Sequence, residues 1–83
     1  MFNFNFEDVF QGHIERNKMS LEEFKELVTG KFLETLKEKV GFVNIYREEE
    51  VEGGYHYYFH VDGMYYLVYY DFKNEQAEYG VIG

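Results

Sequence analysis

Apolar positions along the chain change period near residue 41. Before it they recur every three or four residues; after it they alternate. Phe6, Val9, Phe10, His13 and Ile14 fall on one helical face, with Asn5 as N-cap and Glu7 and Asp8 in the first turn. This predicts a short helix over about 6–15, weakened by Gly12. Just upstream, Phe2, Phe4 and Phe6 alternate with Asn3 and Asn5, which leaves room for a short N-terminal edge strand at Phe2–Phe4. The next helix has a clear start. Ser20-Leu-Glu-Glu23 is a capping box, and Met19 and Phe24 occupy the hydrophobic-staple positions. Gly41 is its natural stop, with Lys37 and Lys39 near the negative end of the dipole. Its apolar residues form two stripes, Leu21/Phe24/Leu27/Val28 and Phe32/Leu33/Leu36/Val40, offset around the axis. A kink or break at Thr29-Gly30 would align them; a straight helix with a broad buried face is the alternative.

The alternating half predicts strands at about 42–51, 55–61, 64–72 and 77–82. Asp62-Gly63 is a type I′ hairpin signal and sets the central register. Tyr55, Tyr57, Phe59 and Val61 then face Tyr70, Val68, Tyr66 and Met64 on the side that packs on the helices. His56, Tyr58 and His60 face Tyr69, Leu67 and Tyr65 on the other. At Glu52-Gly53-Gly54, a two-residue Gly53-Gly54 loop would turn Glu48 and Glu50 inward, where unpaired carboxylates are costly. A three-residue loop or a bulge there places Val43, Ile45 and Val51 inward instead. The last strand turns Ala77, Tyr79 and Val81 inward.

Eighty-three residues suit one domain. The fold class is α+β: one or two N-terminal helices on one face of a three- to four-stranded antiparallel meander. Cysteine is absent, which excludes disulfides and thiolate metal sites, and no run of about 18 apolar residues suggests a membrane span. The first residues lack a secretory pattern, so a cytoplasmic protein is expected. Net charge is −8 and uneven. Residues 1–40 hold 8 acids and 6 bases, residues 41–83 hold 8 acids and 2 bases. Without a basic footprint, direct nucleic-acid binding is not expected; an acidic sheet favours a basic partner protein, including one that itself binds nucleic acid.

Chemistry is sparse. His56 and His60 lie roughly 13 Å apart along one strand, too far to share an ion. His13 reads as a packed or half-exposed residue at a helix edge. Ser20 is the only serine and is committed to a cap. Gly53-Gly54 lacks the lysine and strand-to-helix context of a phosphate loop. No catalytic, metal or cofactor site is expected, and the chain reads as a non-enzyme.

The outer face carries the candidate site: Tyr46, Glu48, Glu50, His56, Tyr58, His60, Tyr65, Leu67 and Tyr69, with Phe42, Asp71 and Glu78 around them. Tyrosine gives large contact area and a hydroxyl at small entropic cost. Glu48 and Glu50, roughly 6.7 Å apart on one side of a strand, could take the place of phosphates in a groove of another protein. The plain alternative is that tyrosines are good strand formers covering a solvated sheet. In composition the chain resembles small, cysteine-free, acidic phage-encoded inhibitors of host defence, anti-CRISPR proteins among them. That resemblance implies an inhibitor acting in the host cytoplasm on a basic, nucleic-acid-binding target. The competing expectation is a homodimer or scaffold module that buries the tyrosine face against its own copy.

Overall fold

The computed structural model describes residues 5–14 and 18–83. The architecture is α+β: helices packed on one side of a four-stranded antiparallel sheet of order β1-β2-β3-β4. Helix α1 (Phe6–His13) opens on Asn5, whose Oδ1 accepts from the Glu7 amide at 2.9 Å. The edge strand expected at Phe2–Phe4 lies outside the described residues. Helix α2 (Leu21–Leu27) starts with the expected capping box: the Glu23 amide donates to Ser20 Oγ at 3.1 Å, and the Ser20 amide donates to Glu23 Oε1 at 2.9 Å.

The two misaligned stripes meet in a π-helical turn, Val28–Phe32, that leads into α3 (Leu33–Lys39). An unbroken α-helix would carry Leu36 about 120° around the axis from Phe24. The wider turn takes up one extra residue and swings the second stripe back. Phe24, Val28, Phe32 and Leu36 are all fully buried as a result. The break expected at Thr29-Gly30 is thus a local widening within a continuous helical run, neither a kink nor a uniform helix.

The strands are β1 (Val43–Val51), β2 (Gly54–Val61), β3 (Met64–Asp71) and β4 (Gln76–Val81). Asp62 and Gly63 both take positive φ, 47° and 86°, as a type I′ turn demands. The β2–β3 register is the expected one at every pair from Tyr55↔Tyr70 to Val61↔Met64. Asp62 also fixes the start of β1: its Oδ1 accepts from the Phe42 amide (3.1 Å), and its own amide donates to the Phe42 carbonyl (3.0 Å). Ala77, Tyr79 and Val81 lie opposite Tyr70, Val68 and Tyr66, so β4 also has the expected orientation.

The β1–β2 connection differs from expectation. The loop has two residues, Glu52 and Gly53, because Val51 pairs with Gly54; the irregularity sits instead at Tyr46, which is bulged out between Ile45↔Phe59 and Arg47↔Tyr58. A bulge reverses the alternation downstream of it. Val43 and Ile45 keep the inward side. Glu48 and Glu50 also come to the inward side, opposite Tyr57 and Tyr55, while Arg47, Glu49 and Val51 turn outward.

The core lies between the helices and the inner side of the sheet. Phe6 stacks on Tyr66 at 3.9 Å and meets Phe32 edge-on at 5.5 Å, and Phe32 meets Phe59 at 5.6 Å. Phe24 lies 5.7 Å from Tyr57 and 5.3 Å from Tyr70. The Tyr70 hydroxyl donates to the Met19 carbonyl at 2.6 Å, and the Met19 amide donates to the Glu75 carbonyl at 2.9 Å. These two bonds tie the approach to α2 to the β3–β4 turn.

Two glycines respond oppositely to a methyl group. A Cβ on Gly30 meets nothing within 4 Å, whereas one on Gly54 runs into the Tyr70 carbonyl oxygen. Gly30→Ala is expected to stabilise by about 0.5–1 kcal/mol. Gly54→Ala should destabilise by more than that, because the clash is with the backbone of the neighbouring strand β3 and not with a flexible side chain. Thermal melts of the two variants check both signs.

Candidate functional site

The side of the sheet turned away from the helices carries Phe42, Asn44, Tyr46, Arg47 and Glu49 from the β1 side. It carries His56, Tyr58 and His60 from β2, Tyr65, Leu67, Tyr69 and Asp71 from β3, and Glu78 from β4. No described element packs over it. Most of these rings are half-buried by their neighbours alone, but Phe42 (49%), Tyr46 (47%), Tyr65 (38%) and the adjoining Ile82 (52%) remain open to water.

The rings form a connected sheet-top layer. His60 stacks on Tyr65 with centroids 4.4 Å apart and planes 9° apart. Phe42 meets His60 edge-on at 5.1 Å. The bulge projects Tyr46 over this group, 5.8 Å from Tyr65 and 6.0 Å from Tyr58. His56 stands between Tyr58 and Tyr69, at 6.0 and 5.8 Å. Seven of the nine expected site residues therefore share one face: Tyr46, His56, Tyr58, His60, Tyr65, Leu67 and Tyr69. Glu48 and Glu50 do not. The bulge places them on the helix side, beyond the helices' cover, where both stay exposed and no burial cost arises. Glu48 Oε2 accepts from the Tyr55 hydroxyl at 2.6 Å, and Lys25 Nζ lies 4.5 Å above the Tyr55 ring.

The sequence reading missed two outward residues, Arg47 and Glu49. Arg47 Nη2 donates to Glu49 Oε1 at 2.6 Å, and its guanidinium lies over the Tyr58 ring, 5.4 Å from the centroid. The Tyr58 hydroxyl donates to Glu49 Oε2 at 3.2 Å. The Arg47 hydrogen bond holds the Glu49 carboxyl below the usual carboxylate range. Only the bulge reveals this trio, and a bulge at a tyrosine leaves no compositional mark.

Elsewhere, His13 bridges two helices. The Val9 carbonyl can only accept, so Nδ1 carries the proton (3.1 Å), and Nε2 then accepts from the Thr35 hydroxyl at 3.1 Å. A shallow cavity of about 350 Å³ lies along α2, lined by Met19, Glu23, Glu26, Leu27 and Lys31. It is on the flank of the helix, not between helices and sheet. No described helix is long and apolar enough to cross a membrane. Comparison with protein-family models, with curated proteins and with solved structures gave no match.

Burial pushes the Tyr57 pKa up to about 12, and the Glu48 carboxylate and Tyr55 add to the effect. Tyr55, Tyr58, Tyr69, Tyr70 and Tyr79 are raised as well, Tyr55 chiefly by its bond to Glu48 and the others chiefly by burial. A native pKa above the unfolded value of about 10 means that the unfolded chain releases its proton first. For Tyr57 this stability, on the order of 2 kcal/mol, is therefore whole below pH of about 10 and is lost as pH climbs through about 12. An alkaline titration followed by tyrosinate absorbance and circular dichroism should show a late ionisation step that coincides with unfolding. Tyr57→Phe should diminish that step. All nine tyrosines ionising together with the fold intact would contradict this account.

Proposed function

We propose that the protein is a non-enzymatic binding module that docks a basic partner protein on the open side of its sheet. One observation carries this reading: an entire face of aromatic and imidazole rings is left uncovered by the described residues, in a chain of net charge −8. Strand propensity accounts for tyrosines within the ladders. It does not account for Phe42 and Ile82, which extend the exposed apolar surface past the ends of β1 and β4.

The face measures roughly 500 Å², from four strands about 4.8 Å apart and about eight residues long. Two copies of this face would bring −8 against −8. A foreign basic partner that reaches past the rim suits the surface better than a second copy does.

A narrower form of the proposal is an inhibitor that enters the nucleic-acid groove of its target, as the composition suggests for a phage-encoded anti-defence protein. In that form the β1 edge makes the entry. Glu48 and Glu50 project on one side of it and Glu49 on the other, giving an acidic ridge beside the aromatic face. Rings and ridge then contribute separately, the rings to affinity and the ridge to electrostatic attraction.

Partner capture with wild type and with the Tyr58/Tyr65/Tyr69→Ala variant tests the face. The variant should lose the partner while keeping its circular dichroism spectrum. Glu48→Gln with Glu50→Gln should flatten the salt dependence of binding if the ridge enters a groove, and leave it unchanged if the rings act alone. Light scattering should show a monomer at high micromolar concentration; a stable dimer would favour self-association through the face.

A further inference from the structure

Each outer strand of the sheet leaves a row of main-chain groups without a strand partner, and the two edges are built differently. β1 is bulged at Tyr46 and carries Arg47, Glu48, Glu49 and Glu50. An added strand could neither keep its spacing past the bulge nor avoid the charges. β4 keeps a regular register from Gln76 to Val81, and Glu78 is its one charged residue.

The ladder fixes which groups of β4 are free. The Asp62–Gly63 turn closes on Val61 and Met64, so Met64, Tyr66, Val68 and Tyr70 bond to β2, and the residues between them turn to β4. The Ile82 amide accordingly donates to the Tyr65 carbonyl at 2.8 Å. Counting back by twos, Gly80, Glu78 and Gln76 face β3, while Ala77, Tyr79 and Val81 direct amide and carbonyl to the open edge. Among the described residues, no main-chain bond reaches these three from the open side.

Gly80 is a second sign. Its φ is not positive, and a Cβ there would meet nothing within 4 Å. Neither backbone nor packing calls for glycine, which weakens a strand and often marks the close approach of another chain. Its missing side chain leaves the β4 flank of Leu67, directly opposite on β3, uncovered on the outer face. Beside this gap, Val81 and Ile82 are open to water.

We propose that β4 is the docking edge for an extended, basic segment of the partner protein, which joins the sheet as a further strand. The inference rests on the partner being basic, and not on the outer face being its contact. In this mode main-chain pairing supplies affinity and the flanking groups select the sequence. Glu78 stands beside the edge on the outer side. On the helix side, Glu7 of α1 accepts from the Tyr79 hydroxyl and Asp8 adds its charge. Arginine or lysine on either side of the incoming strand would meet a carboxylate, and an apolar side chain would fill the gap over Gly80. The nearest lysines lie off the strand, Lys73 in the turn and Lys18 facing Glu75 at 4.0 Å. A second copy paired here would bring −8 against −8, with like carboxylates at the junction.

The probe is a short blocked peptide of alternating lysine and valine, added to isotope-labelled protein and followed by amide hydrogen exchange. In the free protein the amides of Ala77, Tyr79 and Val81 should exchange fast and those of Glu78 and Gly80 slowly. The peptide should slow the fast set several-fold and leave β1 unchanged. Its fully N-methylated form keeps charge and side chains but has no main-chain donors, and should bind several-fold more weakly. A glutamate–valine peptide should give no protection. Val81→Pro removes an amide that the fold does not use, and should weaken the peptide several-fold with the circular dichroism spectrum intact. Gly80→Val should raise the melting temperature, since valine suits a strand, yet weaken the peptide by crowding the gap. Equal protection by the N-methylated peptide, protection confined to β1, or none at millimolar peptide would overturn the proposal. So would protection of the same amides on raising protein concentration alone, which would make a second copy the occupant. A partner captured equally by wild type and Val81→Pro, but lost by the triple tyrosine variant, would refute this edge and leave the face reading intact. Loss by Val81→Pro alone would refute the face and keep the edge.

Discussion

The corner at Asp62–Gly63 is the constraint on which the rest of the structure depends. Its two positive φ angles fix how β2 meets β3, and the Asp62 carboxylate and amide also hold Phe42 at the start of β1. Three strands are thereby locked at one end. A slip of one residue would exchange every side chain between the faces. Phe59, Tyr57 and Val68 would then meet water, and His56, Tyr58 and Leu67 would meet the helices. With the corner in place, Phe6, Phe24 and Phe32 have rings on the inner side to pack against, and the helices gain a specific seat.

The inner and outer faces are both aromatic, but different effects hold them. Inside, rings are removed from water and meet other rings, so area burial dominates, with geometry adding about 0.5–1.5 kcal/mol per pair. Outside, half-buried rings gain only cross-strand contact of about 0.2–1 kcal/mol per pair. That is enough to explain His60 on Tyr65 or His56 beside Tyr69 as sheet stabilisers. It does not explain Tyr46. A bulge removes a residue from regular pairing, and here it lifts a ring onto the exposed layer, where it covers Tyr58 and Tyr65. A polar side chain at that position would satisfy the backbone equally well. The choice of tyrosine enlarges the outer aromatic surface at a point where the fold does not need it.

What could be read in the sequence was what local signals force. The capping box at Ser20 and the I′ turn at Asp62 need particular residue types, and each places its neighbours unambiguously. The inward set of β4 followed because alternation carries through a hairpin. Two features escaped for one reason: each is an irregularity inside an element, with no residue type that marks it. The offset stripes around Gly30 located a defect in the helix but not its form, since a kink, a broad face and a π-turn all reconcile them. In β1 the irregularity was assigned to the glycines at the loop, where bulges are usually marked. The structure places it at Tyr46, which keeps Val43 and Ile45 inside and reverses everything from Arg47 to Val51.

That one displaced residue redistributes the charge. With Glu48 and Glu50 on the outer face, the tyrosines would sit among unpaired carboxylates, and any partner would have to match both at once. With them on the helix side, the outer carboxylate on β1 is Glu49, already engaged by Arg47 and Tyr58. The acidic ridge and the aromatic face become two surfaces that meet along the β1 edge. The ridge gathers three carboxylates on one edge, and their field is long-range and salt-screened. The rings act only in contact. On the outer face, Glu78 accepts from the Tyr69 hydroxyl directly across the β3–β4 ladder, whereas Glu49 lies diagonal to Tyr58. Charge and rings on this sheet are therefore separable: the carboxylates of the ridge lie along the β1 edge, and the rings lie across the outer face.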